Sequence, residues 1–251
     1  MTPRLRPSRL TTDALLPPTR PVRGSLDRLA AATLETLLNA IDANDADTGR
    51  HVRRVAGYGL IIADGIGLDA AGCRAVERVA LFHDIGKIHE ALFDIVHDGT
   101  RLTPADRRAV ATHPARGAKV LSPLKAFYPE LPAGVLAHHE RWDGGGYPQG
   151  LRGRKIPLEA RIVAIADTFD AVSHTRRYHR GRGTTAAMGI VEGGRGTQFD
   201  PDLVDLVLLP RMTARMLSHM HAAHASRRTG DGAHPRRTRE PAPDVSFRWR
   251  T

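Results

Sequence analysis

Apolar positions recur at three- and four-residue spacing along most of the chain, and no segment alternates apolar and polar residues long enough to make a strand. The first stripe, Leu26, Leu29, Ala30, Leu34, Leu37, Leu38 and Ile41, predicts a helix that Ser25 can cap. A second, which Thr48 can cap, carries Val52, Val55, Ala56, Ile62 and Ile66, and Gly65 and Gly67 end it. Asp69 opens a third, which runs through Val76, Val79, Ala80 and Phe82 into His83-Asp84. Thr103-Pro104-Ala105-Asp106 supplies a cap, a proline at the first helical position and a capping-box acid for a fourth. A fifth covers about Leu131 to His139, a sixth Leu158 to about Ser173, and a shorter seventh starts near Thr184. An eighth begins at Pro201 and carries Leu203, Leu206, Val207, Leu209, Met212 and Met216. Between the fifth and sixth, residues 142–157 hold five glycines and two prolines and read as a loop. The pattern predicts an all-α fold with one domain over residues 25–222.

Composition sharpens this picture at the two ends. Of 251 residues, 41% are hydrophobic but only 5% are aromatic, so the core must be aliphatic, which suits helices. The net charge of +10 suggests a nucleic-acid partner until its location is considered. Residues 1–24 carry +4 and residues 221–251 carry +4, which leaves +2 for everything between. Both ends are rich in proline and arginine and have no packable face, so 1–24 and 223–251 are expected to be disordered basic tails. No specific nucleic-acid partner is expected. The start, Met1-Thr2-Pro3-Arg4, has basic residues with no apolar run behind them, and no stretch reaches the ~18 apolar residues of a membrane span. The one cysteine, Cys73, excludes an internal disulfide framework. A cytoplasmic protein is expected.

The candidate chemistry lies in histidines and aspartates. Asp47 and His51 are four apart on the second helix and share a face. His83 and Asp84 are neighbours, ~100° apart on a helix, which suits two metals with the carboxylate bridging. His138 and His139 pose the same geometry at the end of another helix. Asp167 stands among Ile165, Ala166 and Phe169, where a carboxylate needs a partner such as a metal. His113 completes the set. Imidazole and carboxylate donors with no thiolate suit divalent first-row ions, Fe or Mn foremost. Two ions ~3.5–4 Å apart can hold a bridging hydroxide and clamp a phosphodiester.

Three runs are similar to a known family: His83-Asp84-Ile85-Gly86-Lys87, His138-His139-Glu140-Arg141-Trp142-Asp143-Gly144-Gly145-Gly146-Tyr147-Pro148, and Ala166-Asp167-Thr168-Phe169-Asp170-Ala171. The chain resembles the HD-GYP family, a branch of the HD phosphohydrolases, from about Leu34 to about Leu208. The resemblance implies a single HD-type helical domain with a bi- or trinuclear metal site in its core. It implies that His51, His83, Asp84, His113, His138, His139 and Asp167 are the ligands. Family members with a third ion usually have Glu where Asp47 stands. Asp47 can therefore bind a third ion or serve the start of its helix, and two and three ions are both open.

The same resemblance implies a phosphodiesterase that opens cyclic di-GMP to pGpG, with pGpG and GMP both open as the end product. Its alternatives are a hydrolase of another nucleotide and a weakly active cyclic di-GMP receptor. Lys87, three after Asp84, can aim its ammonium at a substrate phosphate, and Gly86 permits the tight backbone there. Arg176 matches the family's phosphate-binding arginine, although the Arg-Pro-Tyr of the family is Arg176-Arg177-Tyr178 here. Gly146 and Tyr147 are implied to shape the substrate pocket, and their loop to contact diguanylate cyclases. A further departure is His89-Glu90-Ala91-Leu92, where many members have Gly-Val-Pro-Asp.

Overall fold

The computed structural model describes residues 23–88, 103–174 and 183–230. Ten helices lie in these segments: α1 Arg23–Asn44, α2 Ala46–Gly65, α3 Ala70–Phe82, α4 Pro104–Val110, α5 His113–Leu121, α6 Glu130–Ala137, α7 Leu158–Ser173, α8 Thr184–Gly193, α9 Pro201–Val207 and α10 Pro210–Gly230. Short 3-10 turns cover Ile85–Ile88, Ser122–Leu124 and Gly153–Lys155. Among the described residues no strand forms, as the absence of alternation predicts.

The helix starts follow side-chain chemistry. Asp45, not Thr48, caps α2: its carboxylate accepts from the amides of Asp47 at 3.1 Å and Thr48 at 3.0 Å. Thr48 sits inside the helix and donates its hydroxyl to Asp45 at 2.7 Å. Asp outranks Thr as a cap because it satisfies two of the helix's orphan N–H groups with one charged group. Likewise Ser25 lies within α1, which begins at Arg23. Asp69 caps α3 through Gly72 N at 2.8 Å, and Thr103 and Asp106 form the expected capping box on α4.

Two helices differ from the pattern read in the sequence. Residues 113–121 form α5 in their own right, started by Pro114, whose fixed φ suits a first turn. Their apolar stripe is thin, with only Pro114, Gly117 and Leu121 buried beside His113, so periodicity gave no signal. The predicted eighth helix is two: α9 ends at Val207, and Pro210 starts α10. A proline inside that stripe removes an N–H and clashes with the preceding turn, so the helix breaks there. α10 continues to Gly230, past the expected domain end at 222, and the described helix α1 starts one residue before 24. Most of both expected tails lies outside the described residues.

α2 is the axis of the fold. It touches α1, α3, α7, α9 and α10. The core is aliphatic, as composition requires: Ile62 on α2, Val76 and Val79 on α3, Leu131 and Val135 on α6, Ile162 and Ile165 on α7, and Val204 on α9 are fully buried. Each such side chain contributes about 1.5–3 kcal/mol of transfer free energy. The few aromatics are spent here too, with Tyr58, Phe82, Phe169 and Phe199 almost wholly buried.

The closest backbone approach lies beside the candidate residues. A Cβ on Gly86 would meet His113 O at 2.1 Å and Gly117 N at 2.7 Å. These are backbone atoms, which cannot step aside as a flexible side chain would. The absent side chain thus lets the turn after Asp84 lie directly on α5, which carries His113. Gly86→Ala is expected to destabilise the fold by about 1–3 kcal/mol through overpacking. Denaturant unfolding checks this, and an unchanged midpoint would show that the turn and α5 are not in contact.

Candidate metal centre

Five pieces of backbone deliver the candidate donors to one place. His51 comes from the second turn of α2, His83 and Asp84 from the end of α3, and His113 from the first residue of α5. His138 and His139 follow the end of α6, and Asp167 lies within α7. They gather as two groups. In the first, donor atoms of His51, His83 and Asp167 lie within 4.8 Å of one another; in the second, those of His113, His138 and His139 do. His51 Nε2 stands 3.2 Å from Asp167 Oδ1, and His83 Nε2 stands 3.9 Å from the same oxygen. Asp84 lies between the groups. Its Oδ2 is 3.5 Å from His83 Nε2 and 3.9 Å from His51 Nε2, while its Oδ1 is 3.3 Å from His113 Nε2. One carboxylate therefore turns an oxygen to each group, the placement a bridging ligand needs.

The tautomers follow from the hydrogen bonds. His83 Nδ1 faces Ala80 O, His113 Nδ1 faces Val110 O, and His138 Nδ1 faces Val135 O, each at 2.7 Å. A carbonyl only accepts, so each Nδ1 carries the proton and each neutral Nε2 presents a lone pair. His113 Nε2 and His138 Nε2 then face each other, lone pair to lone pair, at 3.1 Å. The buried atoms His83 Nε2 and Asp84 Oδ1 have no hydrogen-bond partner. Buried acceptors without donors are costly, and a cation among them removes the cost. With imidazoles, carboxylates and no thiolate, the donor set fits first-row divalent ions.

Electrostatics keeps the donors in their binding forms. Burial pushes His83 and His138 down, and it holds His139 at about 4, with His113 adding to the effect. These imidazoles are neutral at pH 7. Burial alone would push the Asp84 carboxyl up, but Lys87, followed by His83 and His113, outweighs it and holds Asp84 well below the usual carboxylate range. Asp167 is also held below that range: burial raises it, and the His51 imidazole, 3.2 Å away, leads the opposing contributions.

Around this centre the remaining candidates fall differently. Lys87 places Nζ 2.8 Å from Asp84 Oδ2, at the edge of the cluster. Asp47 belongs to neither donor group; it sits in the first turn of α2, part exposed, and pairs with Arg50. The role of cap, open to it from the sequence, is taken by Asp45. Arg176, Arg177, Arg180 and the stretch at His89 lie outside the described residues. Tyr147 stacks on His139, with ring centroids 4.9 Å apart and 24° between planes. Burial, with the charges of Asp84 and Asp167 behind it, pushes the Tyr147 hydroxyl up to about 12, so it stays protonated.

Sequence reasoning missed two residues. Glu140, only 3% exposed, accepts from Gln149 N at 2.7 Å and Leu151 N at 3.0 Å and so ties down the far side of the Gly-Tyr-Pro loop. A Cβ on Gly146 would lie 2.4 Å from Arg141 N and 2.5 Å from Glu140 Cα, so this loop closes only on glycine. Asp170, fully buried, accepts from His51 Nδ1 at 2.7 Å. A signal existed for Asp170: it is an acid between Phe169 and Ala171, one turn after Asp167 on the same helix. Glu140 gave none, because its partners are backbone amides that no side-chain pattern reveals.

The comparisons with known proteins agree with this geometry. Residues 35–203 match the HD domain. The cyclic di-GMP phosphodiesterase response regulator RpfG of Xanthomonas campestris pv. campestris is 38% identical over 71% of this chain and 47% of its own length. The 3'3'-cGAMP-specific phosphodiesterase 3 of Vibrio cholerae is 37% identical over 68% of this chain and 38% of its own. This chain thus spans about half or less of the length of such curated relatives. The structure of Bd1817, an HDG"Y"P protein from Bdellovibrio bacteriovorus, has the same fold, with a TM-score of 0.54 at 19% identity over 73% of this chain and 61% of that one. With the histidine and aspartate groups brought together by these helices and the tyrosine of the Gly-Tyr-Pro loop stacked on His139, the chain belongs to the HD-domain family, in its HD-GYP branch.

Proposed function

We propose that this chain is a metal-dependent phosphodiesterase that opens cyclic di-GMP to pGpG. The observation that carries the reading is Asp84, set between two groups of lone-pair donors with one oxygen toward each. His51, His83 and Asp167 would hold one divalent ion, His113, His138 and His139 a second, and Asp84 both, with Fe or Mn the ions that the donor set suits. Such a pair lowers the pKa of water and neutralises charge on a phosphodiester. The protein's own part is positioning. Lys87 adds a fixed positive charge beside the bridge, where a phosphoryl group gains charge in the transition state. Tyr147 forms a wall over His139, and Gly146 lets that wall approach. Arg176 is proposed as a second phosphate contact on the family resemblance. The exposed tip of the loop, Pro148 to Gly150, is the surface we assign to diguanylate cyclases.

A second reading is hydrolysis of a mixed cyclic dinucleotide. It is supported by relatives named 3'3'-cGAMP-specific phosphodiesterases at identities close to those of the cyclic di-GMP enzymes. Turnover of cyclic di-GMP, 3'3'-cGAMP and cyclic di-AMP by Mn-loaded protein separates the readings. No turnover of any of them would overturn both and leave the receptor alternative.

Three substitutions test the site. Asp84→Ala is expected to abolish hydrolysis and to lower bound metal, read by mass spectrometry of the purified protein. Near wild-type metal content and turnover would exclude the bridge. Lys87→Ala is expected to retain metal and lose on the order of 10²-fold in rate, the usual cost of one preorganised contact to developing charge. A fall in metal as large as the fall in rate would instead assign Lys87 to assembly of the site. Asp47→Ala is expected to bind the same two ions as the wild type and to lose only ~0.3–1 kcal/mol through the helix dipole. A drop from three ions to two would make Asp47 a ligand.

A further inference from the structure

Three of the cluster histidines back onto main-chain carbonyls, and His51 does not. Behind His51 is Asp170, on the same face of α7 as Asp167 and one turn on. Asp170 is 0% exposed. Its Oδ2 accepts from His51 Nδ1 at 2.7 Å and from Arg54 Nη2 at 2.9 Å, and its Oδ1 accepts from Arg54 Nε at 2.7 Å. His174 Nδ1 lies 3.1 Å from Oδ1. Arg54 grips the carboxylate with both nitrogens of one edge, so the oxygen facing His51 cannot swing away. Asp170 belongs to neither donor group, and nothing in the hydrolytic reading above uses it.

A carboxylate behind an imidazole does two things that a carbonyl does less well. It fixes the ring as the Nδ1–H tautomer with Nε2 aimed at the metal, and it makes that Nε2 more basic. Arg54 offsets part of the charge, so aim is the larger effect. The two halves of the cluster also differ in their own ligands. One has His51, His83 and a carboxylate, Asp167; the other has three imidazoles, His113, His138 and His139. Asp84 is common to both.

We infer that Asp170 is a positioning residue that makes the two metal sites unequal: the His51–His83–Asp167 half takes a divalent ion first and holds it more tightly than the His113–His138–His139 half. The inference rests on the metal-binding reading proposed above. Asparagine at 170 reverses the aim. Its amide can donate to His51 Nδ1, which favours the tautomer with a proton on Nε2, where the ion must bind.

The test is a titration of the full, metal-stripped chain with manganese(II) chloride. Calorimetry and the electron paramagnetic resonance of free Mn(II) follow it. The wild type is expected to bind in two steps of unequal affinity. His139→Ala should lose the weaker step and keep the tighter one, and His51→Ala should lose the tighter one. Asp170→Asn should weaken the tight step by ~10–100-fold, the usual effect of removing such a partner, with the weak step changed little. Asp170→Glu, which keeps a carboxylate, should recover part of that loss. Circular dichroism confirms folding in each case. If Asp170→Asn does not fold, Asp170→Glu decides instead: a displaced carboxylate must weaken the tight step alone. Two equal steps in the wild type, a tight step that survives His51→Ala, or an Asp170 variant that weakens both steps alike would overturn the inference. A wild-type chain that binds no Mn(II) would overturn the metal reading itself, a separate and distinguishable result.

Discussion

A buried cluster of lone pairs with hardly a donor among them is the constraint that shapes this molecule. His83, His113 and His138 turn their N–H groups outward to carbonyls, which leaves acceptor atoms facing acceptor atoms around Asp84. Left alone, such a set repels itself and costs several kcal/mol in lost solvation. A positive charge at its centre turns the same groups from a liability into a site. Lys87 supplies one such charge from the protein, and the donor set is suited to supply the rest with divalent ions.

The scaffold meets that constraint with helix ends. A histidine in the last turn of a helix, or just past it, can donate Nδ1–H to the carbonyl three residues back, because that carbonyl has lost its own helical partner. His83 and His138 use this device at the ends of α3 and α6, and His113 uses it after α4. One contact thus satisfies an orphan carbonyl, selects the tautomer and aims the ring. Only helices whose ends converge can build the site this way, and the packing of α3 on α2 and α6, with α6 on α5 and α7, brings the ends together.

Much of this was legible in the sequence. The doublets His83-Asp84 and His138-His139, with His51, His113 and Asp167, are the candidate donors read in the sequence, and the structure brings all seven side chains together. Periodicity placed α2, α3 and α7 well because each buries a broad apolar stripe. It failed at α5, where a small stripe and an initial proline left little pattern, and at α9 and α10, where one stripe runs through Pro210. Thr48 lies nearer the start of the apolar stripe, but Asp45 is the cap, because charge and the free amides of the first turn decide the matter. Asp170 and Glu140 stand within the motifs yet have no part in the sequence reading, since neither belongs to the donor set. Roles that act through a neighbour leave only a polar residue in an apolar context.

The clasp made by Glu140 has a consequence for how such a pocket can change. Its carboxylate holds the loop from one side, while Trp142 N and Asp143 N bond to Gln198 O at 3.2 Å and Thr197 O at 2.8 Å on the other. The loop's tyrosine in turn lies on His139. The proposed substrate wall and the candidate ligand beneath it are therefore linked in one unit, built from two stretches of chain, 139–151 and 194–199, that are distant in sequence. A loop grafted from a relative with another nucleotide preference would arrive without its fastenings unless Glu140 and the 194–199 turn travelled with it. To change this loop is thus to change the block that holds it, and a substitution at a single loop position is felt by the histidine beneath.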